Sequence, residues 1–185
     1  MIDDIYKDAE ERMQKSVDAT KQHFSAVRTG RASTALLDHI NVDYYGTPTP
    51  LVQLAGISIP EPRLIAVQPY DKAAMSDIEK AIGTSDLGLT PNNDGNIIRI
   101  PIPALTEERR IELVKVIHKM SEEGRIAIRN IRKDANHHID MLKEEGHISE
   151  DDLKIAHDNI QDDTNKYIKL VDETMETKEK EIMED

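Results

Sequence analysis

All eight prolines of this 185-residue chain lie between Pro48 and Pro103. A proline inside a helix removes a backbone donor and collides with the preceding turn, so long helices are confined to the two flanks. Five of the eight glycines also fall in the middle stretch, between Gly46 and Gly95. The flanks carry the apolar spacing of helices. Ile2, Ile5, Ala9, Met13, Val17, Thr20, Phe24 and Val27 form one stripe. Leu113, Ile117, Met120, Ala127, Ile131, Ala135, Ile139 and Leu142 form a second, and Leu153, Ala156, Ile160, Thr164, Tyr167, Val171 and Ile182 a third. At about 1.5 Å per residue these are rods of roughly 45, 60 and 50 Å.

Helix ends are also marked. Thr106 is placed to cap the second rod, with Glu107 and Glu108 in its first turn, where the helix dipole favours negative charge. Gly146 is expected to close that rod in a left-handed conformation, and Ser149 to start the next, with Ile148 and Leu153 as a hydrophobic staple around it. So short a connection implies antiparallel neighbours. Three stripes, none able to bury itself alone, predict a three-helix bundle assembled from both ends of the chain.

The middle reads differently. Ile40, Val42 and Tyr44 alternate as in a strand, and 46–50 is expected to turn the chain. Further strands are expected over 55–59, 64–67 and 97–100, with one helix over 71–82. The predicted fold is a two-domain α+β chain: residues 1–30 and 105–185 form an antiparallel three-helix bundle, and 31–104 form an inserted β/α/β domain. Two covalent crossings between the domains make relative motion the default expectation, with Gly30 a flexible exit and Pro101 and Pro103 a stiffened return.

Composition excludes several functions. Without cysteine there is no disulfide framework, thiolate nucleophile or Cys-based zinc site, which fits a reducing cytosol. The opening residues have neither a basic start nor an apolar run, and no segment approaches the roughly 18 apolar residues of a membrane span. No membrane association is therefore expected. The net charge of −12 opposes broad attraction to nucleic acid. That charge is uneven, because residues 147–185 hold 5 basic against 13 acidic side chains while 105–146 hold nine of each.

No catalytic constellation is visible. There is no phosphate-binding loop, nucleophile elbow or His-Glu-x-x-His, and Gly83-Thr84-Ser85-Asp86-Leu87-Gly88 lacks the spacing and the lysine of a phosphate loop. His137 and His138, adjacent on a helix, diverge by about 100° and are poorly placed to share a metal. Asp151-Asp152 and Asp162-Asp163 read as solvated helix surface. Neither an enzyme nor a cofactor is expected.

One stretch stands out. Residues 124–133 contain no acid, and Arg125, Arg129 and Arg132 fall at i, i+4 and i+7 on one helix face. Guanidinium forks in such a row suit successive phosphates, since arginine pairs bidentately and stays charged. The same face is also compatible with solvation, or with salt bridges to the acidic third helix. A second basic group, Arg28, Arg31, Arg109 and Arg110, is expected where the inserted domain joins the bundle.

Arg28-Thr29-Gly30-Arg31-Ala32-Ser33, Tyr44-Tyr45-Gly46-Thr47-Pro48-Thr49-Pro50-Leu51, Ser85-Asp86-Leu87-Gly88-Leu89, Leu105-Thr106-Glu107-Glu108-Arg109-Arg110 and Arg129-Asn130-Ile131-Arg132-Lys133-Asp134-Ala135 together resemble the signature stretches of the bacterial ribosome recycling factor family. The likeness covers essentially the whole chain, in order. It implies an L-shaped molecule like transfer RNA in outline. It also implies a cytoplasmic, monomeric, non-enzymatic factor that binds the large ribosomal subunit and, with elongation factor G and GTP, splits the post-termination ribosome. Carried over by position, the resemblance ranks Arg132 first for ribosomal RNA contact, with Arg129, Arg31, Arg28, Arg109, Arg110, Arg125 and Lys133 beside it. Gly30, Arg31, Ala104 and Leu105 become the hinge. Gly124 stands where the family's alanine is expected, implying a cost of about 1 kcal/mol in an exposed helix interior. Lys133 stands in place of an arginine, keeping charge but losing the fork. The competing reading is a helical adaptor without RNA contact.

Overall fold

The computed structural model describes residues 1–27 and 29–184. Arg28, one of the expected RNA contacts, lies outside the described residues. The chain divides into two compact units, Met1–Arg28 with Glu107–Asp185, and Thr29–Thr106.

The first unit is a bundle of three helices: α1 (Ile2–Ser25), α4 (Glu107–Glu144) and α5 (Glu150–Met183). Each packs against the other two. The contacts Arg12–Asp134 and Thr20–Gly124 set α1 antiparallel to α4. The pairs His118–Glu179 and Asp140–His157 set α4 antiparallel to α5. The core runs along the rods through Ala9, Met13 and Val17 of α1, Ile128, Ala135 and Ile139 of α4, and Ala156, Ile160 and Val171 of α5.

The α4–α5 turn is built by local chemistry. Gly146 sits at φ +77 and donates its N–H to Lys143, while His147 donates to Leu142, the bonding that closes a helix through a left-handed residue. Ser149 Oγ then accepts from the Asp152 N–H and the Asp152 carboxylate accepts from the Ser149 N–H, each at 3.1 Å. This reciprocal capping box satisfies two orphan donors at the start of α5. Those bonds hold the Asp152 carboxyl below the usual range, the Ser149 backbone donor contributing most. Ile148 and Leu153 both pack on the bundle core.

In α4 the buried line differs from the expected stripe. It runs Leu113, Ile117, Ser121, Gly124, Ile128, Ile131, Ala135, Ile139, so Ser121 and Gly124 occupy the core where the apolar spacing pointed to Met120 and Ala127. Small residues are required there because α1 approaches closely. A Cβ on Gly124 would stand 2.5 Å from Thr20 Oγ1. Gly124 is therefore a packing residue and not an exposed helix defect. The buried hydroxyls of Thr20, Ser121 and Thr164 each donate to the carbonyl four residues back, which leaves none of those donors unsatisfied.

The second unit holds a two-stranded hairpin, β1 (Asn41–Tyr44) with β2 (Thr47–Pro50), and an antiparallel four-stranded sheet. The sheet strands are β3 (Ala55–Glu61), β4 (Leu64–Pro69), β5 (Asn92–Asn93) and β6 (Ile98–Pro101), in the order β3-β4-β6-β5. Residues 47–50 form a strand, although their prolines read as a turn. The turn itself is only Tyr45-Gly46, both at positive φ, the mirror-image geometry that suits a two-residue hairpin. Pro48 and Pro50 occupy alternate positions opposite Asp43 and Asn41 on an edge strand, where the ladder needs no donor from them. A short helix, α2 (Leu51–Leu54), follows directly, and α3 (Met75–Gly83) continues a 3-10 turn over Lys72–Ala74. Leu37, Val42, Leu51, Ile65, Ile78 and Ile98 are among the residues of a separate core. At the β5–β6 turn the Asp94 carboxylate accepts from the Asn96 and Ile97 N–H groups and pairs with Arg99, which holds its pKa far below the usual range.

Candidate nucleic-acid interface

The three arginines of α4 follow one another along the helix, yet their surroundings differ in steps. Arg125 is the most enclosed, with 18% of its side chain exposed. Its Nε and Nη2 both lie 2.7 Å from Asp172 Oδ1 on α5, and its Nη1 donates to Glu122 at 3.0 Å. Burial opposes its charge, but the Asp172 and Glu122 carboxylates outweigh that and raise its pKa above the ordinary guanidinium value. The expectation of an arginine row without local counter-charge therefore fails at Arg125, which is committed to holding α4 against α5.

Arg129 is intermediate. Its Nη1 donates to the other Glu122 oxygen at 2.9 Å, and its side chain is 42% exposed. Glu122 thus bridges Arg129 and Arg125, and in that order they pull its carboxyl below the usual range. Arg132 is different again. Its one described hydrogen bond is from Nη1 to the neutral Gln161 Oε1 at 3.3 Å, and it is paired with no carboxylate among the described residues. Lys133 beside it is exposed and makes no hydrogen bond or ion pair among the described residues. Pairing with carboxylates therefore decreases along the row from Arg125 to Arg132.

The remaining expected cations divide between the two units. Arg109 and Arg110 stand in the first turn of α4; Arg109 pairs with Glu112 at 2.9 Å and Arg110 donates to the Met183 carbonyl at 3.1 Å. Arg31 is an exposed residue of the second unit. Of the expected hinge residues, Gly30 is buried at φ +76, Ala104 is exposed and Leu105 is half-buried.

Among the described residues no group of three or more His, Cys, Asp or Glu side chains is placed to hold a metal, and the His137 and His138 rings stand 6.0 Å apart. No helix among the described residues is long and apolar enough to cross a membrane. Gln161, which meets Arg132, and Asn165, bonded to it, are uncharged residues that were not singled out by sequence. Their side chains are bonded at 2.9 Å, Gln161 Nε2 donating to Asn165 Oδ1. The available signal was three amides inside an acidic helix, Asn159, Gln161 and Asn165, and the significance of each depends on what lies opposite.

A long three-helix bundle interrupted by a small α+β unit defines the architectural class of this chain. The ribosome recycling factor family profile matches residues 20–183, and this chain belongs to that family of non-enzymatic translation factors. It is 54% identical over 181 residues to the ribosome-recycling factor of Natranaerobius thermophilus, covering 98% of both chains. It is 55% identical over 183 residues to that of Carboxydothermus hydrogenoformans, covering 99% of both. A ribosome recycling factor solved in solution shares 47% identity with a TM-score of 0.75, over 98% of this chain and 97% of its own. The T. thermophilus factor, described with E. coli elongation factor G bound to the E. coli post-termination complex, shares 45% identity with a TM-score of 0.65 over 98% of each chain.

Proposed function

We propose that this chain recycles ribosomes in the cytoplasm after translation termination. As a monomer it binds the large ribosomal subunit and, with GTP-bound elongation factor G, splits the post-termination complex so that the ribosome leaves the messenger RNA. GTP hydrolysis is assigned to the partner, in keeping with a family of non-enzymatic translation factors. The full-length family likeness supports this reading, and Arg132 carries it structurally, as a guanidinium held by a neutral amide beside the exposed Lys133. Arg132, Arg129, Lys133, Arg109 and Arg110 are the proposed ribosomal RNA contacts of the bundle, and Arg31 is a proposed contact of the inserted unit. Arg125 serves the α4–α5 packing instead. Gly30, Arg31, Ala104 and Leu105 are the proposed hinge, close to the ends Thr29 and Thr106 of the inserted unit, where backbone rotation would let that unit be moved by the GTPase.

Replacing Arg132 by glycine tests the reading. The variant is expected to keep its helical circular-dichroism spectrum, to stop co-sedimenting with isolated large subunits, and to fail in splitting post-termination ribosomes with elongation factor G and GTP. A folded variant that still co-sediments and splits like the parent would overturn the assignment of Arg132.

A further inference from the structure

The seam between α4 and α5 is a ladder of facing polar pairs. His118 meets Glu179 at 3.1 Å, Arg125 meets Asp172 at 2.7 Å, and Asp140 meets His157 at 2.8 Å. On α4 the step from His118 to Arg125 is seven residues, and on α5 the step from Glu179 back to Asp172 is also seven. One further step of seven reaches Arg132 on α4 and Asn165 on α5, and eight more on each helix reach Asp140 and His157. Four rungs thus alternate with the helical repeat, and three of them set a basic side chain against a carboxylate.

The rung at Arg132 is the exception. Its position on α5 is held by Asn165, and Gln161, one turn away, accepts from Arg132 while donating to Asn165. These amides interrupt the most acidic part of the chain, since residues 147–185 hold 13 carboxylate side chains. A carboxylate at either place would satisfy Arg132 internally, as Asp172 satisfies Arg125, and a phosphate would then have to displace it. An amide oxygen can orient the guanidinium without neutralising it.

We propose that Gln161 and Asn165 are specificity-determining positioning residues, whose lack of charge keeps Arg132 available to an external RNA phosphate. The proposal rests on the ribosome-binding reading above. It identifies the α4–α5 register as the device that divides the arginine row into one structural cation and one binding cation.

The experiment compares the full-length chain with Q161E, N165D and Q161M in salt-titrated binding to isolated large subunits, alongside thermal melts. Q161E and N165D are each expected to weaken binding about fivefold, the upper end of what an exposed ion pair turned against the ligand supplies. They should also flatten the dependence of log affinity on log salt by about one unit, as loss of one phosphate contact requires. Their melting temperatures should be unchanged or slightly higher. Q161M, uncharged and similar in length, is expected to bind within about threefold of the parent with the parent's salt slope. Weakening by Q161M equal to that by Q161E would show that shape matters and charge does not, and would overturn the proposal. So would parent-like binding by both acidic variants. An R132A control separates the two levels: if R132A binds like the parent, the RNA-contact reading fails, whereas loss by R132A with no loss by Q161E and N165D removes only the proposal.

Discussion

Gly124 lies where α4 passes α1, and its missing side chain is occupied by Thr20. The Thr20 hydroxyl is fixed by its bond to the Ser16 carbonyl at 2.9 Å, and Thr20 Cβ and Cγ2 would lie 3.6 and 3.7 Å from a Cβ on Gly124. Alanine has the better helix propensity by about 1 kcal/mol, while forcing a methyl into a packed contact costs about 1–3 kcal/mol. Gly124→Ala is therefore expected to destabilise the protein by about 1 kcal/mol net in urea unfolding. The same substitution in a Thr20→Ala background should stabilise, because the hydroxyl that blocks it is gone. Additive effects of the two changes would refute the contact. This residue also shows why part of the core was illegible from residue type. Ser121 and Gly124 carry no apolar signal, and their burial follows from the close approach of α1.

At the scale of elements, α5 carries both a device that favours it and a strain against it. The Ser149–Asp152 box starts the helix with its backbone donors satisfied, and replacing Ser149 by alanine should cost about 1 kcal/mol in a chemical-denaturation series. Further along, burial and then the Glu10 carboxylate of α1 push the Asp163 carboxyl above its ordinary pKa, with Asp162 adding and Lys166 opposing. A folded-state value above the unfolded one means that the folded protein takes up the proton more readily. The penalty is full above the folded-state value and disappears as pH falls below the ordinary carboxylate value. Asp163→Asn is thus expected to raise the melting temperature at about pH 7, with the advantage vanishing toward about pH 3. A difference independent of pH would rule out this origin. The extents of α4 and α5 followed from periodicity and end signals, both local properties, whereas α1 stops at Ser25, short of Val27 and of the roughly 45 Å expected. The strand over 47–50 did not follow from such signals, because two prolines read as a turn until the partner strand shows that their missing donors face away from the ladder.

Across the whole molecule, a chain of net charge −12 is proposed to bind a polyanion. Both can hold because screening limits charge interactions to about 10 Å at ordinary salt, so a local cationic row acts largely independently of the distant acidic surface. With Arg129, Arg132 and Lys133 as phosphate contacts, log affinity for isolated large subunits should fall with log salt at a slope of at least about −2 to −3, steepening toward about −5 with Arg31, Arg109 and Arg110. Tripling the salt would then weaken binding at least roughly ten- to thirtyfold. Binding that ignores salt, measured by co-sedimentation across that range, would favour the adaptor reading. The confinement of proline to the middle, together with apolar periodicity in the flanks, determined by itself that this protein would be a three-helix bundle carrying an inserted α+β unit. These signals act within a turn or two of backbone and need no partner. Which arginine is spent on packing and which is left for a ligand was decided only by the tertiary structure. That choice depends on whether Asp172 or Gln161 meets the guanidinium, and residues 29 to 47 positions apart are brought together by the register of two packed helices.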